Sequence, residues 1–259
     1  MSKGLVFGLL FVAFGWAQNP VVRGLGDVRG GLVIPRLAAG GAWEAEFQVF
    51  SLSDRAQPYI LTFFDAAGEP MEVLLTDTRG QIVSEADSFP GVLQAGGADI
   101  LISPRARAFK VGYARVEVVD PTEIAVNVVL TQVVPGRPDF QASVPGIGRY
   151  SKRFRFPFRN RDRLTTSIAW VSEGDRSGAI IARGPSGSEL CREEFAIAAG
   201  AHEAFILSER LPCTSSQEGT IEVETDEGGI TPIAFLFNDF GTFTTQLPID
   251  ARPRAQAAP

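Results

Sequence analysis

Ala114-Arg-Val-Glu-Val-Val-Asp120, followed by Ile124-Ala-Val-Asn-Val-Val-Leu130, returns later in the chain. Its second form is Gly219-Thr-Ile-Glu-Val-Glu-Thr225 followed by Ile230-Thr-Pro-Ile-Ala-Phe-Leu236. Each copy then passes through a turn into a closing strand that ends in proline, Phe140-Gln-Ala-Ser-Val-Pro145 and Phe243-Thr-Thr-Gln-Leu-Pro248. Upstream, Trp43-Glu-Ala-Glu-Phe-Gln-Val49 corresponds to Leu164-Thr-Thr-Ser-Ile-Ala-Trp170, and Gln94-Ala-Gly-Gly-Ala-Asp-Ile100 to Ala198-Ala-Gly-Ala-His-Glu-Ala204. Four blocks in one order imply a duplicated unit.

The unit reads as all-β. Trp43, Ala45, Phe47 and Val49 alternate with Glu44, Glu46 and Gln48, the period of a strand with one buried and one wet face. Ile124 to Leu130 and Ile230 to Phe237 are more uniformly apolar, as central strands beneath a second sheet would be. Turn formers punctuate them: Asp65-Ala-Ala-Gly68, Asp120-Pro121, Pro135-Gly136, Gly184-Pro-Ser-Gly187 and Glu227-Gly-Gly229. These features predict two tandem antiparallel β-sandwich domains of immunoglobulin- or fibronectin-like topology, with a jelly roll as the alternative. The first is expected over residues 31–146 and the second over 149–250, joined at Pro145-Gly-Ile-Gly148. An irregular lead-in (18–30) and a disordered tail (251–259) flank them.

The first seventeen residues have the layout of a cleaved signal peptide. Lys3 supplies the positive end, Leu5 to Phe14 a short apolar run, and Gly15-Trp16-Ala17 the small residues before the cut. The run is short for a bilayer span, although an uncleaved anchor is the other reading, and no later stretch reaches transmembrane length. The expected location is therefore periplasmic or extracellular. The whole chain carries a formal charge of −6, and loss of Lys3 makes it one unit more negative, which argues against a nucleic-acid binder.

In an oxidising compartment the two cysteines, Cys191 and Cys213, are expected to form a disulfide. A redox or metal pair would call for a CxxC spacing that they lack.

The opening strand with its Trp, the polar loop, and the closing turn Asn238-Asp-Phe-Gly-Thr-Phe-Thr-Thr-Gln-Leu-Pro248 resemble tandem β-sandwich repeats of secreted bacterial proteins of unassigned function. The resemblance covers most of residues 31–250. The first copy departs from it at the closing turn, where Val134-Pro-Gly-Arg-Pro138 stands. It implies fold and export and transfers no catalytic residue.

Chemistry-bearing patterns are sparse. His202 is the only histidine, which rules out a His-based zinc cluster within one chain, and it is expected at the surface of a turn. Glu193/Glu194 and Asp226/Glu227 are sequence neighbours. On a strand such neighbours point to opposite faces, so they read as solvated charge rather than a glycosidase pair. No calcium-loop spacing is present, and Gly24-Leu-Gly-Asp-Val-Arg-Gly30 lacks the spacing of a nucleotide loop. No cofactor and no metal are expected.

Arg149 to Arg163 holds seven basic residues and one acid in fifteen positions. As a strand it would turn Phe154, Phe156 and Phe158 to the core. Arg153, Arg155 and Arg159 would face water, with Arg161 and Arg163 in the next turn. These charges either blunt an exposed edge against aggregation or dock an anionic partner such as an acidic envelope polysaccharide, phospholipid headgroups or an acidic protein face.

The sequence thus leads to a secreted, non-enzymatic β-sandwich protein with an adhesion, scaffold or ligand-binding role. An accessory or structural subunit of an envelope assembly, using an edge strand, is the alternative. A carboxylate-based hydrolase is the least supported. Expected partners are an envelope protein or an anionic polysaccharide, and not nucleic acid.

Overall fold

A computed structural model describes residues 30–105, 107–148 and 152–250. The expected signal peptide (1–17), residues 18–29 of the lead-in, Arg149 and the expected tail (251–259) lie outside the described residues. The first half forms β1 (Gly30–Ala39), β2 (Trp43–Ser51), β3 (Gln57–Asp65), β4 (Val73–Thr76) and β5 (Ile82–Ala86). It continues with β6 (Ser88–Leu93), β7 (Ala98–Ser103), β8 (Lys110–Val118), β9 (Ile124–Gln132) and β10 (Phe140–Pro145). The second half opens with β11 (Arg153–Arg159), β12 (Leu164–Ser172), β13 (Arg176–Arg183), β14 (Glu189–Ile197) and β15 (His202–Ile206). A one-turn helix, α1 (Leu207–Arg210), leads to β16 (Glu218–Thr225), β17 (Ile230–Asn238), β18 (Phe243–Gln246) and the two-residue β19 (Ile249–Asp250).

The fold is all-β, of sandwich type, and its strands make four antiparallel sheets. The first half contributes β1-β8-β3-β6 and β10-β9-β2-β7-β4-β5; the second contributes β14-β13-β16-β11-β19 and β15-β12-β17-β18. The two halves share one strand order. Reading β1 as β11, β8 as β16, β3 as β13 and β6 as β14 superimposes the first sheet of each half; β10, β9, β2 and β7 match β18, β17, β12 and β15 in the same way. The β4–β5 hairpin is extra to the first half, and β19 to the second. Gly30 is already in strand, so β1 begins one residue before the boundary read from the sequence.

Alternation sets the faces. In β2, Ala45, Phe47 and Val49 are buried and the residues between them are partly exposed; in β3, Tyr59, Leu61 and Phe63 do the same. Phe47 meets Phe63 edge-on at 5.4 Å, and burying each such ring contributes about 2–3 kcal/mol. In the second half Phe154, Phe156 and Phe158 pack inward beside Trp170, Ile180 and Ile221, as expected for β11.

The second half has a core of its own around Phe156 and Trp170, but the core of the first half is completed from across the seam. Ala169, Ile233, Phe235 and Phe243 belong to the second half, yet they sit in the same apolar cluster as Phe47, Leu61 and Val128 of the first. Trp43 meets Phe243 at 5.5 Å across the seam. Alongside, Val33, Tyr113 and Val171 form a smaller buried group with Phe64 packed on it. Polar contacts stitch the margins: Thr245 Oγ1 donates to the Ser143 carbonyl, Arg137 to the Phe240 carbonyl at 2.6 Å, and the His202 amide to the Ala66 carbonyl at 3.0 Å. This seam explains the uniform apolarity of Ile230 to Phe235, all buried: one face of β17 lines its own sandwich and the other lies against the first half. The matching strand β9 keeps Asn127 on its outer face, held by Gln48 and Ser143.

Candidate functional site

The basic strand β11 lies opposite an acidic one. Across the β11–β16 pair, Arg153 faces Glu224, Arg155 faces Glu222 and Arg159 faces Glu218. Arg155 Nε donates to Glu222 Oε2 at 2.6 Å, and Arg153 reaches Glu222 at 3.3 Å and also pairs with Glu224. Arg159 bonds Asp162 at 2.7 Å and lies 3.6 Å from Glu218, and Arg161 lies 3.2 Å from both of these acids. Arg163 is 3.4 Å from Asp239. Each of the five arginines singled out in the sequence therefore has an acidic partner. β16 flanks the strand along its whole length, and β19 pairs with its other side at Phe154 and Arg155. Cross-strand pairing thus matches the run of positive charge.

Glu222 is the centre of this ladder, with 2% of its side chain exposed. Burial pushes its pKa up, but the hydrogen bonds from Glu224 and Arg155 and the charges of Arg155 and Arg153 outweigh that and hold it below the usual carboxylate range. Glu224 moves upward, first through burial and then through its contact with Glu222. The two carboxyls thus share a hydrogen bond, which leaves no room for the sugar that a glycosidase pair must span. Arg153, Arg155 and Arg183 line a depression of about 520 Å³ walled by Gly184, Pro185 and Thr220. Arg183 is itself 3.7 Å from Glu189, so this hollow too has its charges matched.

Cys191 and Cys213 are joined as a disulfide, with Cα atoms 6.3 Å apart. Cys191 lies within β14, and Cys213 in a short 3-10 turn (Pro212–Thr214) after α1. The bridge packs against the core that holds Trp170 and Leu211. It ties the connection between β15 and β16 to the edge strand β14.

His202 is the correction. The structure buries it, with 5% of the residue exposed, in the seam between the halves. The turn before β15 docks on the β3–β4 turn, where Gly68 has φ +87 and its Cα faces Gly200 so closely that a Cβ would stand 2.6 Å from the Gly200 carbonyl oxygen. That docking carries His202 under the first half. There its ring stacks near Tyr113 at 6.2 Å, and neither ring nitrogen has a hydrogen-bond partner. Burial first, and the Arg36 charge second, press its pKa down to about 4, against a small opposing pull from the Pro35 carbonyl.

Arg36 reaches the same place through a bulge. Ile34 pairs with Ala114 and Leu37 with Gly112, so Pro35 and Arg36 together oppose Tyr113. Proline has no N–H for the ladder, and a bulge re-aims the side chain beside it. The result is a cavity of about 600 Å³ lined by Arg36, Val111, His202, Glu203, Phe205 and Arg210, among others. Arg210 is held by Glu193 at 2.9 Å and Glu203 at 2.7 Å, and its guanidinium lies 4.4 Å from the Phe205 ring centre. Arg36 has no ion pair or side-chain hydrogen bond among the described residues. Arg36, Arg210 and Glu222 went unremarked in the sequence, and only the register and the seam give them meaning.

Among the described residues no cluster of His, Cys, Asp and Glu could hold a metal ion, and no helix is long and apolar enough to cross a membrane. The fold and these sites define a class no finer than an all-β sandwich-type protein with a disulfide. No family model and no curated protein sequence matches the chain.

Proposed function

We propose that this chain is an exported, non-enzymatic β-sandwich protein that binds or holds a partner at the cell envelope or outside the cell. The observation that carries this reading is the apolar cluster shared by both halves, with Phe243 against Trp43 at its rim. Two units fixed in this way present their surfaces in one arrangement, so recognition costs little reorganisation. The disulfide is compatible with an oxidising compartment, and the common strand order of the halves supports their origin by duplication. The matched charges on β11 favour a binding surface elsewhere than the arginine strand.

The test is capture from a solubilised envelope fraction and a polysaccharide panel, using residues 18–259 at low and high salt. Saturable capture by the wild type, retained when Arg153, Arg155 and Arg159 are replaced by Gln, is the expected result. Absence of any partner at either ionic strength would refute the reading.

A second reading, an accessory subunit that accepts a partner strand, draws on β5. This strand ends its sheet, and it exposes Ile82 at 65% and Val83 at 44%. An apolar edge of this kind is suited to strand addition. A salt-resistant protein partner lost in an Ile82→Lys, Val83→Lys variant would favour it.

A further inference from the structure

The seam cavity contains two groups that folding has left unmatched. His202 is almost wholly buried and both its ring nitrogens lack partners, although a buried polar atom without a hydrogen bond costs about 1–3 kcal/mol. Arg36 brings a positive charge into the same space, and no carboxylate of the described residues approaches it within ion-pair range. Its neighbour Arg210 contributes no free charge, because Glu193 and Glu203 already hold it. An unpaired guanidinium at the wall of a depression between two units, beside a covered imidazole, has the composition of a ligand site.

We propose that the seam cavity binds a singly charged carboxylate ligand, with Arg36 as its counter-ion. A guanidinium takes a carboxylate in a two-pronged hydrogen bond. The charge count selects a monoanion. Arg36 supplies one uncompensated positive charge, while Glu203 at the cavity wall would repel a second negative charge on a phosphate dianion. A space of about 600 Å³ admits a molecule of sugar-acid size, and Phe205 and Val111 give it an apolar wall. The bulge at Pro35 is then functional: it turns Arg36 out of the β1–β8 ladder and into the site. The site deepens the binding role proposed above, and it can fail while that role stands.

The experiment is titration calorimetry of the full secreted chain at neutral pH and low salt, with D-glucuronate, D-glucose and inorganic phosphate as probes. Glucuronate should bind saturably, and Arg36→Gln should weaken it at least about tenfold, with Arg36→Lys between the two. Near-ultraviolet circular dichroism checks that the seam persists in each variant. Ala204 is exposed and lines the cavity, so Ala204→Trp fills it without touching either core and should abolish binding as well. Glucose binding as tightly as glucuronate, phosphate binding more tightly, undiminished binding by a folded Arg36→Gln protein, or no saturation with glucuronate would each overturn the site. Capture of an envelope partner by a protein that binds no glucuronate would overturn this site alone and leave the broader reading in place.

Discussion

Glu222 on β16 lies directly opposite Arg155 on β11, almost entirely covered, and accepts a hydrogen bond from its Nε at 2.6 Å. The arginine is 47% exposed, so the pair combines a buried acid with a solvated base. Solvent screening limits the coupling between them to about 1 kcal/mol. Removing the acid is different, because Arg153 and Arg155 lose a shared partner and the residues beneath lose their cover. Glu222→Ala should destabilise the protein by roughly 2–3 kcal/mol in urea denaturation. Arg155→Ala should cost only about 1 kcal/mol. Equal effects of the two would contradict the asymmetry.

His202 ties stability to pH. Its folded-state pKa is about 4 against an ordinary value of 6.5, so between these the unfolded chain binds the proton and the folded protein does not. Stability is therefore complete above pH 6.5, declines as pH falls towards 4, and levels off below. The loss over this window is about 3 kcal/mol from this residue. Arg36 acts on the ring with its positive charge, whereas Glu203, the next residue on the strand, is turned to Trp170 and Arg210. His202→Leu should flatten the dependence. Because the chain has one histidine, a single imidazole resonance followed by NMR reports the titration directly.

The disulfide spans 22 residues of sequence. Closing a loop of that size stabilises by about 3 kcal/mol in the chain-entropy model. The Cys191→Ser, Cys213→Ser double variant should lose that amount in urea denaturation, and added reductant should leave the variant's midpoint unmoved.

Asp162 and Arg163 both have positive φ, 56° and 63°, and the Leu164 amide closes the turn onto the Arg161 carbonyl at 3.0 Å. Left-handed backbone is unfavourable for an arginine by about 1 kcal/mol. The Arg163 side chain is 76% exposed, and its ion pair to Asp239 returns little. Arg163→Gly should raise stability by roughly 0.5–1 kcal/mol, seen as a higher melting temperature.

Period-two alternation revealed most of the architecture before any coordinates, since strands such as β2 and β11 announce their inner faces through Phe47 or Phe156. The disulfide was equally legible, because two cysteines leave only one pairing. What alternation cannot show is which outer faces meet another layer. Gln48 and Asn127 in the first half correspond to Ala169 and Ile233 in the second, and that difference is the seam. Read alone, the apolar outer positions of β17 suggested only a central strand. His202 was misread for the same reason: its neighbours Ala199-Gly200-Ala201 look like an exposed turn until another turn lands on them. The arginines of β11 were visible, but their partners lie about sixty to seventy residues away on β16, at a distance that only register resolves.

The seam joins unlike surfaces: β12 and β17 of the second unit lie against β1 of the first, and β18 runs beside β10. A head-to-tail contact of this kind repeats indefinitely unless it closes into a ring or something blocks it. In the second unit the counterpart of β1 is β11, and there the Arg–Glu ladder stands, with β19 laid along part of the same strand. A further unit would have to strip those charges of both water and partners. A charged strand at that place disfavours a third unit, in the way polar terminal repeats do for solenoids.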